Sequence, residues 1–202
     1  MFTGLIEAVG EVSEITPTSS GYRLRIHTPE RLGLEPGDSV AVNGVCLTAT
    51  QCDEQGTDAD VGPETARVTT LGRLQRGQKV NIERSVRADG RFDGHFVQGH
   101  VDGTGVVREV RDDGDSHWIS IGIPPELEPF LILRGSVAVD GVSLTVARLS
   151  EACFDVMIIP FTWANTSLSS LGAGDLVNLE CDMVGKYVAR SMALAARSGA
   201  TT

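Results

Sequence analysis

The sequence lacks the features that mark several common classes of protein. No apolar run approaches the roughly 18 residues needed to span a bilayer. The opening MFTGLIE has no basic start, apolar stretch or cleavage site of a signal peptide. Lys and Arg number 17 against 27 Asp and Glu, and the net charge of −10 argues against nucleic acid and against an anionic membrane surface. We therefore expect a cytoplasmic protein with no nucleic-acid or membrane partner.

Sequence signatures of cofactor, metal and nucleophile sites are also missing. No GxGxxG follows a strand and no GxxxxGK[ST] occurs, so nucleotide phosphates have no evident cradle. There is no HExxH, and the four histidines are too scattered to indicate a metal cluster. No GxSxG elbow accompanies Ser143, which argues against a hydrolase triad. The four cysteines form no CxxC pair and are interpreted as free thiols in a reducing compartment. The sequence therefore shows no evident nucleotide-phosphate site and no metal cluster.

What the sequence does contain is an internal duplication. Residues 39–48 (SVAVNGVCLT) recur as residues 136–145 (SVAVDGVSLT), an offset of 97 with eight of ten positions identical. The same offset aligns two later blocks, and near the start of each copy it slips to 95. Three ungapped blocks in one order indicate a domain written twice, with a small insertion or deletion between blocks.

Each copy has the pattern of short β-strands bounded by Gly, Asn or Asp. The predicted strands include 24–27, 39–42, 46–50, 79–83 and 118–123. Asn43-Gly44 and Asp140-Gly141 are tight-turn signals between apolar runs. About six short strands in each copy predict a small closed barrel. Proline-opened segments at 29–32 and 125–128 predict short helical turns.

After Asp182 the periodicity becomes that of an amphipathic helix. The apolar face consists of Val184, Tyr187, Val188, Ser191 and Ala195. A helix of about 15 residues is marginal alone, so it must pack either on its own barrel or on other subunits, and the pattern leaves both open. The predicted organisation is a barrel at 1–90, a barrel at 91–182, and a helix with a frayed tail at 183–202.

Polar residues at equivalent positions of the two copies, which we call twins, are the candidates for a chemical role. Cys46 and Ser143 each follow the tight turn, and Thr48 and Thr145 lie two residues further on the same side of the strand. Each residue alone could equally be a buried structural one. Their pairing across the copies indicates two related pockets for two ligands of related shape.

Two histidines lie in one short, glycine-flanked segment. His100 stands where the first copy has Leu5, a change that packing does not require, so we expect His100 to be functional. His95 is interpreted as a hydrogen-bonded structural residue.

These motifs resemble riboflavin synthase of the alpha-subunit type, a family of lumazine-binding barrels. The resemblance covers nearly the whole chain and rests on MFTGLI, NGVCLT, GHFVQGHVDG, DGVSLTV and DMVGKY, in that order. It implies two tandem, similar six-stranded antiparallel β-barrels and a C-terminal α-helix that joins the subunits into a homotrimer. It also implies a cofactor-independent dismutation of two 6,7-dimethyl-8-(1-D-ribityl)lumazine molecules. Transfer of a four-carbon unit gives riboflavin and 5-amino-6-(D-ribitylamino)uracil. In the family, the active site forms between the N-terminal barrel of one subunit and the C-terminal barrel of a neighbour.

The resemblance also assigns site residues by position. One lumazine is expected in an N-terminal pocket formed by Gly4, Leu5, Ile6, Cys46, Leu47, Thr48, Asp60, Val61, Gly62, Pro63, Glu64 and Thr65. The other is expected in a C-terminal pocket formed by His100, Val101, Asp102, Arg134, Ser143, Leu144, Thr145, Met157, Ile158, Ile159, Pro160, Phe161 and Thr162. Residues 157–162 are the counterpart of residues 60–65 at the offset of 97, so the duplication supports them independently.

The resemblance leads to hypotheses for the catalytic roles. His100 is the first choice for proton transfer at the acidic C7 methyl of one lumazine. Ser143 or a water is expected to add to the ring of the other lumazine. We expect Cys46 and Thr145 beside the rings, and Asp182 to orient a neighbouring group across the interface.

Three positions depart from the family pattern and bear on pocket detail. Arg134 stands where lysine is common, Phe161 lies in a segment that often reads Pro-Glu-Thr, and Gln98 replaces a small residue. The alternative function is a non-catalytic lumazine carrier of the same fold, which we expect to look degraded in one barrel and at the catalytic positions. Association with a lumazine synthase is left open.

Overall fold

The structure, a computed structural model, describes residues 1–28 and 32–199 of the chain. Twelve strands among these residues form two closed barrels. The first barrel consists of β1 (Ala8–Thr18), β2 (Gly21–His27), β3 (Ser39–Val42), β4 (Val45–Asp53), β5 (Gly56–Val61) and β6 (Lys79–Arg84). The second barrel consists of β7 (Gly103–Asp113), β8 (Ser116–Gly122), β9 (Ser136–Val139), β10 (Val142–Leu149), β11 (Cys153–Ile158) and β12 (Leu176–Cys181).

Both barrels have the same antiparallel topology. The strand order is β1-β2-β5-β4-β3-β6 around the first barrel and β7-β8-β11-β10-β9-β12 around the second. A short helix precedes the last strand of each barrel, α1 (Pro63–Val68) in the first and α2 (Pro160–Ala164) in the second. The predicted fold of two tandem six-stranded antiparallel barrels is confirmed, and each predicted strand lies within an observed one, apart from residue 123.

Alternation along the strands sets the two faces of each barrel wall. In β4, Val45, Leu47 and Ala49 are buried, whereas Cys46 and Thr48 between them are only partly buried or exposed. One face of the strand therefore packs into the barrel and the other faces outward. Candidate functional residues of this strand lie on the outer face, so the barrel interior is a packed core and not a ligand cavity.

The tight turns after β3 and β9 meet between the barrels. Asn43 and Gly44 have φ of 45° and 76°, and Asp140 and Gly141 have φ of 45° and 81°. Positive φ at both central positions is typical of a type I′ hairpin turn, whose twist matches that of its strands. A Cβ on Gly44 would lie 2.6 Å from the backbone N of Gly141, and a Cβ on Gly141 would lie 2.7 Å from the N of Gly44. Only glycine fits at this contact.

Buried asparagines complete the contact between the barrels. Asn81 on β6 donates from its side chain to the backbone oxygen of Asp140 (2.9 Å), and its twin Asn178 on β12 donates to the backbone oxygen of Asn43 (2.8 Å). Both asparagines are 1% exposed, so each hydrogen bond satisfies a polar group that has no access to water. Because the bonds occur as twins, an approximate twofold axis relates the barrels.

The slip in the repeat offset has a structural location. The connection from the second to the third strand is residues 28–38 in the first barrel and residues 123–135 in the second, which is 11 residues against 13. The two extra residues therefore lie in this connection. The predicted helical turn at 29–32 falls mostly outside the described residues, while the turn predicted at 125–128 leads into a 3-10 turn at Glu128–Phe130.

A third helix, α3 (Met183–Gly199), follows β12 and contacts the second barrel at the 3-10 turn. On its predicted apolar face, Val184, Tyr187 and Val188 are 62%, 68% and 53% exposed. The face does not pack on its own barrel, which was one of the two alternatives that the periodicity left open. The predicted frayed tail at 198–202 falls largely outside the described part. Of the helices described, none combines the length and apolar character needed to cross a membrane.

Candidate functional site

The start of the chain and the start of the second copy lie side by side between the barrels. Phe2 and Val97 form an antiparallel bridge with N-to-O distances of 2.7 and 3.2 Å. Both are fully buried, and they pack against Ala41 and Ala138, which are themselves twins. The bridge therefore lies on the approximate twofold axis and positions the segments that follow Phe2 and Val97.

A buried glutamate holds the turn that follows each partner of the bridge. Glu83 accepts a hydrogen bond from the backbone N of Gly4 (3.0 Å). Glu180 accepts from the backbone N of Gly99 (2.9 Å) and of His100 (3.0 Å). Burial raises the pKa of both carboxyls, and the backbone donors oppose that rise. The two turns are thereby fixed, as a site that orients substrates requires.

Each turn contacts the barrel of the other copy. The backbone oxygen of Gly4 accepts from the N of Ser143 (2.8 Å), and that of Gly99 accepts from the N of Cys46 (2.9 Å). Both glycines have positive φ, 78° and 80°. A Cβ on Gly4 would lie 2.6 Å from the Cβ of Ser143, and one on Gly99 would lie 2.5 Å from the Cβ of Cys46. Glycine is required here both for its conformation and for the close approach.

The two pockets are therefore composed differently from the prediction. The resemblance was taken to join residues 4–6 to the pocket of Cys46 and residues 100–101 to the pocket of Ser143. In the structure, residues 4–6 lie beside Ser143 and residues 100–101 lie beside Cys46. Ile6 packs against the core of the second barrel and Val101 against the core of the first. The physical reason is the pair of backbone hydrogen bonds that cross the axis. We call the group around Cys46 and His100 the first half-site, and the group around Ser143 and residues 4–6 the second half-site.

The second half-site contains a half-buried histidine, His95, which the sequence analysis interpreted as structural. Nδ1 of His95 lies 2.7 Å from Oγ of Ser143, and the direction of that hydrogen bond depends on the tautomer. Burial lowers the pKa of His95, and the nearby carboxylate of Asp182 opposes the shift. Nε2 of His95 is buried with no hydrogen-bond partner among the described residues. A neutral imidazole with a free ring nitrogen can accept a proton or bind a polar group of a ligand.

A sequence signal for the role of His95 existed in its neighbour Gly94. A Cβ on Gly94 would lie 2.1 Å from the backbone oxygen of Thr3 and 3.2 Å from Oγ of Ser143. Because Gly94 has no side chain, the backbone can lie close to Ser143, and the side chain of His95 then reaches the serine hydroxyl. The sequence shows the glycine, but only the structure shows which atoms it approaches.

The first half-site has the same elements in a more open arrangement. The side chain of His100 is exposed and makes no hydrogen bond to any described residue, although its backbone N is held by Glu180. The thiol of Cys46 is free and half-buried, and Thr48 is exposed on the same outer face of β4. His100 therefore lies beside the turn of Cys46, on the barrel opposite to the one predicted for it.

Two further predicted residues lie close to the second barrel. Arg134 has a φ of 66°, a left-handed conformation that disfavours a side chain by about 1 kcal/mol or more, and its exposed side chain has no partner among the described residues. Its backbone N donates to the oxygen of Val146 on β10, the strand that bears Thr145. Asp102 is engaged elsewhere, since Oδ2 lies 2.7 Å from Nζ of Lys186 and accepts from the N of Cys181. Asp102 therefore ties α3 to the barrel.

The rims of the two half-sites differ in polarity. At the first rim, Asp60 pairs with Arg23 (2.8 Å) and Glu64 pairs with Arg67 (2.6 Å). The residues at the equivalent positions of the second rim are apolar and unusually exposed for their type. They are Met157 at 46%, Ile159 at 50% and Phe161 at 74% exposure, and Leu5, from the exchanged segment, is 46% exposed. An apolar rim of this kind indicates a surface that a ligand ring or another protein covers.

Three predicted pocket residues point away from any ligand. Leu47, Val61 and Ile158 are 7%, 1% and 0% exposed and belong to the barrel cores. They can contribute to a pocket only through their backbone. Leu144, the twin of Leu47, likewise packs against the core of its barrel. The remaining predicted residues lie on the outer face of β10 or at the starts of α1 and α2: Gly62, Pro63, Thr65, Thr145, Pro160 and Thr162.

Fold and site together define a class of protein. It has two like barrels in one chain, and on the outer face of each a histidine lies beside a hydroxyl or a thiol. Such a pair of related half-sites is typical of a protein that binds two similar small molecules.

Comparison with known proteins identifies the family. The family model described as the lumazine binding domain matches residues 3–85 and again residues 98–182. Riboflavin synthase of Bacillus amyloliquefaciens is 42% identical over 191 residues, which is 94% of this chain and 89% of that protein. Riboflavin synthase of Brucella abortus is 40% identical over 198 residues, covering 94% of this chain and 97% of that protein. The chain belongs to the riboflavin synthase family.

Solved structures show the same fold at lower identity. The crystal structure of LumP complexed with riboflavin has a TM-score of 0.84 and 24% identity, covering 90% of this chain and 99% of that one. LumP complexed with 6,7-dimethyl-8-(1'-D-ribityl) lumazine has a TM-score of 0.81 and 23% identity, with the same coverage.

Proposed function

We propose that this chain catalyses the dismutation of two 6,7-dimethyl-8-(1-D-ribityl)lumazine molecules. One molecule donates a four-carbon unit to the other, which gives riboflavin and 5-amino-6-(D-ribitylamino)uracil. The observation that carries the proposal is the pair of half-sites, which share one scaffold and each hold a histidine beside a nucleophilic side chain. Riboflavin synthases about 40% identical along nearly their whole length support it. Because the four-carbon unit lost by one lumazine is gained by the other, the two products together contain all the atoms of two substrates, and the reaction needs no external oxidant or reductant.

In the first half-site, His100 removes a proton from the C7 methyl of one lumazine. Its imidazole is exposed and unengaged by the described residues, so a ligand can reach it. The resulting anion is delocalised into the ring, which makes the C–H acidic enough for an imidazole base. Cys46 lies beside this ring on the outer face of β4, with Thr48 two residues further along.

In the second half-site, Ser143 adds to the ring of the other lumazine. His95 accepts the serine proton, since its lowered pKa keeps it neutral near pH 7. The carboxylate of Asp182 stabilises the imidazolium that forms. This role for Asp182 lies within its own chain, in contrast to the hypothesis that it orients a group across an interface.

The two lumazines meet when the first half-site of one subunit faces the second half-site of another. The exposed apolar rim of the second half-site supports this arrangement, because it is left uncovered in the single chain. We further propose a homotrimer joined through α3. Val184, Val188 and Met192 line an apolar groove of about 440 Å³ together with Phe130 and Ile132.

Three broader predictions are retained as part of the proposal. The chain acts in the cytoplasm, its folding units are residues 1–90 and 91–182 followed by the helical segment 183–202, and it is able to associate with a lumazine synthase. The alternative function is a lumazine carrier without catalysis. We favour the enzyme because Cys46, His100 and Ser143 are all present, His100 exposed and the other two partly exposed.

The direct test is to incubate the purified protein with the lumazine and to follow riboflavin by its absorbance. We expect one riboflavin for every two lumazines consumed, without an added cofactor. A lumazine that lacks the C7 methyl is the matched control and should bind without reacting. Binding of the full substrate without riboflavin formation would identify the carrier instead.

A further inference from the structure

A cleft of about 550 Å³ crosses the approximate twofold axis between the barrels. Its lining residues fall into seven pairs that are 97 positions apart, and none of them belongs to either half-site. The cleft is therefore a feature of the contact between the barrels and is separate in its lining from the lumazine pockets.

The two halves of the cleft differ in charge. Arg73 and Lys79 line the half contributed by the first barrel, and their twins in the other half are the uncharged Ser170 and Leu176. Neither cation has a hydrogen-bond or ion-pair partner among the described residues, although the chain carries ten more acidic than basic side chains. Two unpaired cations within one cleft indicate a site for an anion.

The base of the cleft is polar and rigid. The backbone N of Thr70 donates to Oδ1 of Asn178 (2.8 Å), and that of its twin Ser167 donates to Oδ1 of Asn81 (2.6 Å). The hydroxyl of Thr70 is buried and has no partner among the described residues, and Thr70 lines the cleft at 9% exposure. A buried hydroxyl without a protein partner leaves a hydrogen-bonding capacity that a water or a bound molecule can fill.

The far half of the cleft carries no cation, and its two carboxyls, Asp140 and Asp175, each accept a hydrogen bond from a backbone N. Leu171 and Leu176 supply apolar surface there, and Ser170 supplies a hydroxyl. A ligand with one anionic end and a neutral, hydroxyl-bearing body matches both halves.

We propose that this cleft binds a small phosphate monoester, with the phosphate held by Arg73 and Lys79 and the neutral part of the molecule across the axis. A phosphate dianion matches two cations, and an arginine can bind it with two parallel hydrogen bonds. Because the bound molecule would touch both barrels, it would link them at the contact that sets their relative position.

The test is calorimetric titration of the full chain with adenosine 5′-monophosphate, with adenosine and inorganic phosphate as separate arms. The variant R73S/K79L replaces each cation by its own twin and should weaken monophosphate binding at least about tenfold, since a hydrogen bond to a charged group is worth about that much. Arg76 is exposed, has no partner among the described residues and does not line the cleft, so R76S is the matched control. It should leave the Kd within about twofold of the parent.

The expected pattern is one monophosphate site per chain, weaker binding of inorganic phosphate and no binding of adenosine. Absence of binding, or equal losses in R76S and R73S/K79L, would overturn the proposal. Inorganic phosphate that binds as tightly as the monophosphate would overturn the assignment of a monoester. Displacement of the monophosphate by riboflavin would place it in a half-site and would equally overturn the proposal. Riboflavin formation is measured separately, so failure here leaves the proposed activity untouched.

Discussion

The two half-sites of this chain share a scaffold and differ in the histidine, in the nucleophile and in the polarity of the rim. Both are built from a glycine turn that crosses the axis, a glutamate that holds the turn, and a strand that presents a small nucleophile. In the first half-site the histidine is exposed and the rim is charged. In the second the histidine is half-buried and hydrogen-bonded to Ser143, and the rim is apolar.

The comparison shows which parts of a duplicated domain are constrained by the backbone. Gly44, Gly141, Asn81 and Asn178 are kept as identical twins because each touches the other copy at the axis. On the outer faces Thr48 and Thr145 are also identical, whereas Leu5 and His100, Cys46 and Ser143, and Glu64 and Phe161 have diverged. We interpret the divergence as two different roles for two molecules of one substrate.

The largest effect should come from removing the imidazole of either half-site. We expect His100→Gln and His95→Gln each to lower kcat by about 10²- to 10⁴-fold, the range that acid–base catalysis contributes. The Kd for riboflavin, measured by fluorescence quenching, should stay within a few-fold of the parent value and so report an intact pocket. Near-normal turnover by either variant would remove that histidine from the mechanism and break the proposed pairing of the half-sites.

Exchanging residues between the rims should have an intermediate effect. Phe161→Glu gives the second rim the residue of the first, and it should raise the Kd for the lumazine about tenfold by replacing apolar contact with charge. The reverse change, Glu64→Phe, should change the Kd less, because it removes only an exposed ion pair with Arg67. Phe161→Leu is the control for apolar contact without an aromatic ring. Equal effects of the two exchanges would show that the rims are interchangeable.

The smallest expected effect is on the pH dependence of stability. It comes from the tight turns at the axis, where Asn43 in the first copy corresponds to Asp140 in the second. Burial raises the pKa of Asp140 from its ordinary value of 3.8 to about 7, with only the backbone N of Asn178 to oppose the rise. Between these values the unfolded chain has released a proton that the folded chain retains, so stability falls as pH rises from about 4 to about 7 and is level above that. The other charged residues lining the adjoining cleft are Arg73, Lys79 and Asp175.

Asp140→Asn makes the two axis turns alike and removes this titration. We expect its Tm to match the parent at pH 4 and to exceed it by a few degrees at pH 8. Melting curves by circular dichroism across that range provide the measurement. Parallel pH profiles for the two proteins would contradict a buried carboxyl that titrates near neutrality.

Much of the fold could be predicted because the duplication repeats its signals. The strand Ser39–Val42 and its counterpart Ser136–Val139 have the bounds that the repeat and the turn residues indicate. The exchange of residues 4–6 and 100–101 between barrels could not be predicted in this way. Each segment is the twin of the other, so the repeat looks the same whether a segment packs on its own barrel or on the opposite one.

Residues outside the repeat were harder to interpret. His95 has no twin in the first copy with which it could be compared. Its role depends on contact with Ser143, 48 positions away. The apolar face of α3 was visible in the periodicity, but its exposure depends on how the helix leaves β12.

The most direct test is to mix two inactive variants, His100→Gln in the first half-site and His95→Gln in the second, after dissociating and reassociating the subunits. If each active site combines the first half-site of one subunit with the second half-site of another, we expect equimolar mixing to restore activity. About a quarter of the sites, one half times one half, would then hold both intact histidines. Absence of any recovery, in an assembly shown by sedimentation to contain both variants, would contradict an active site shared between subunits.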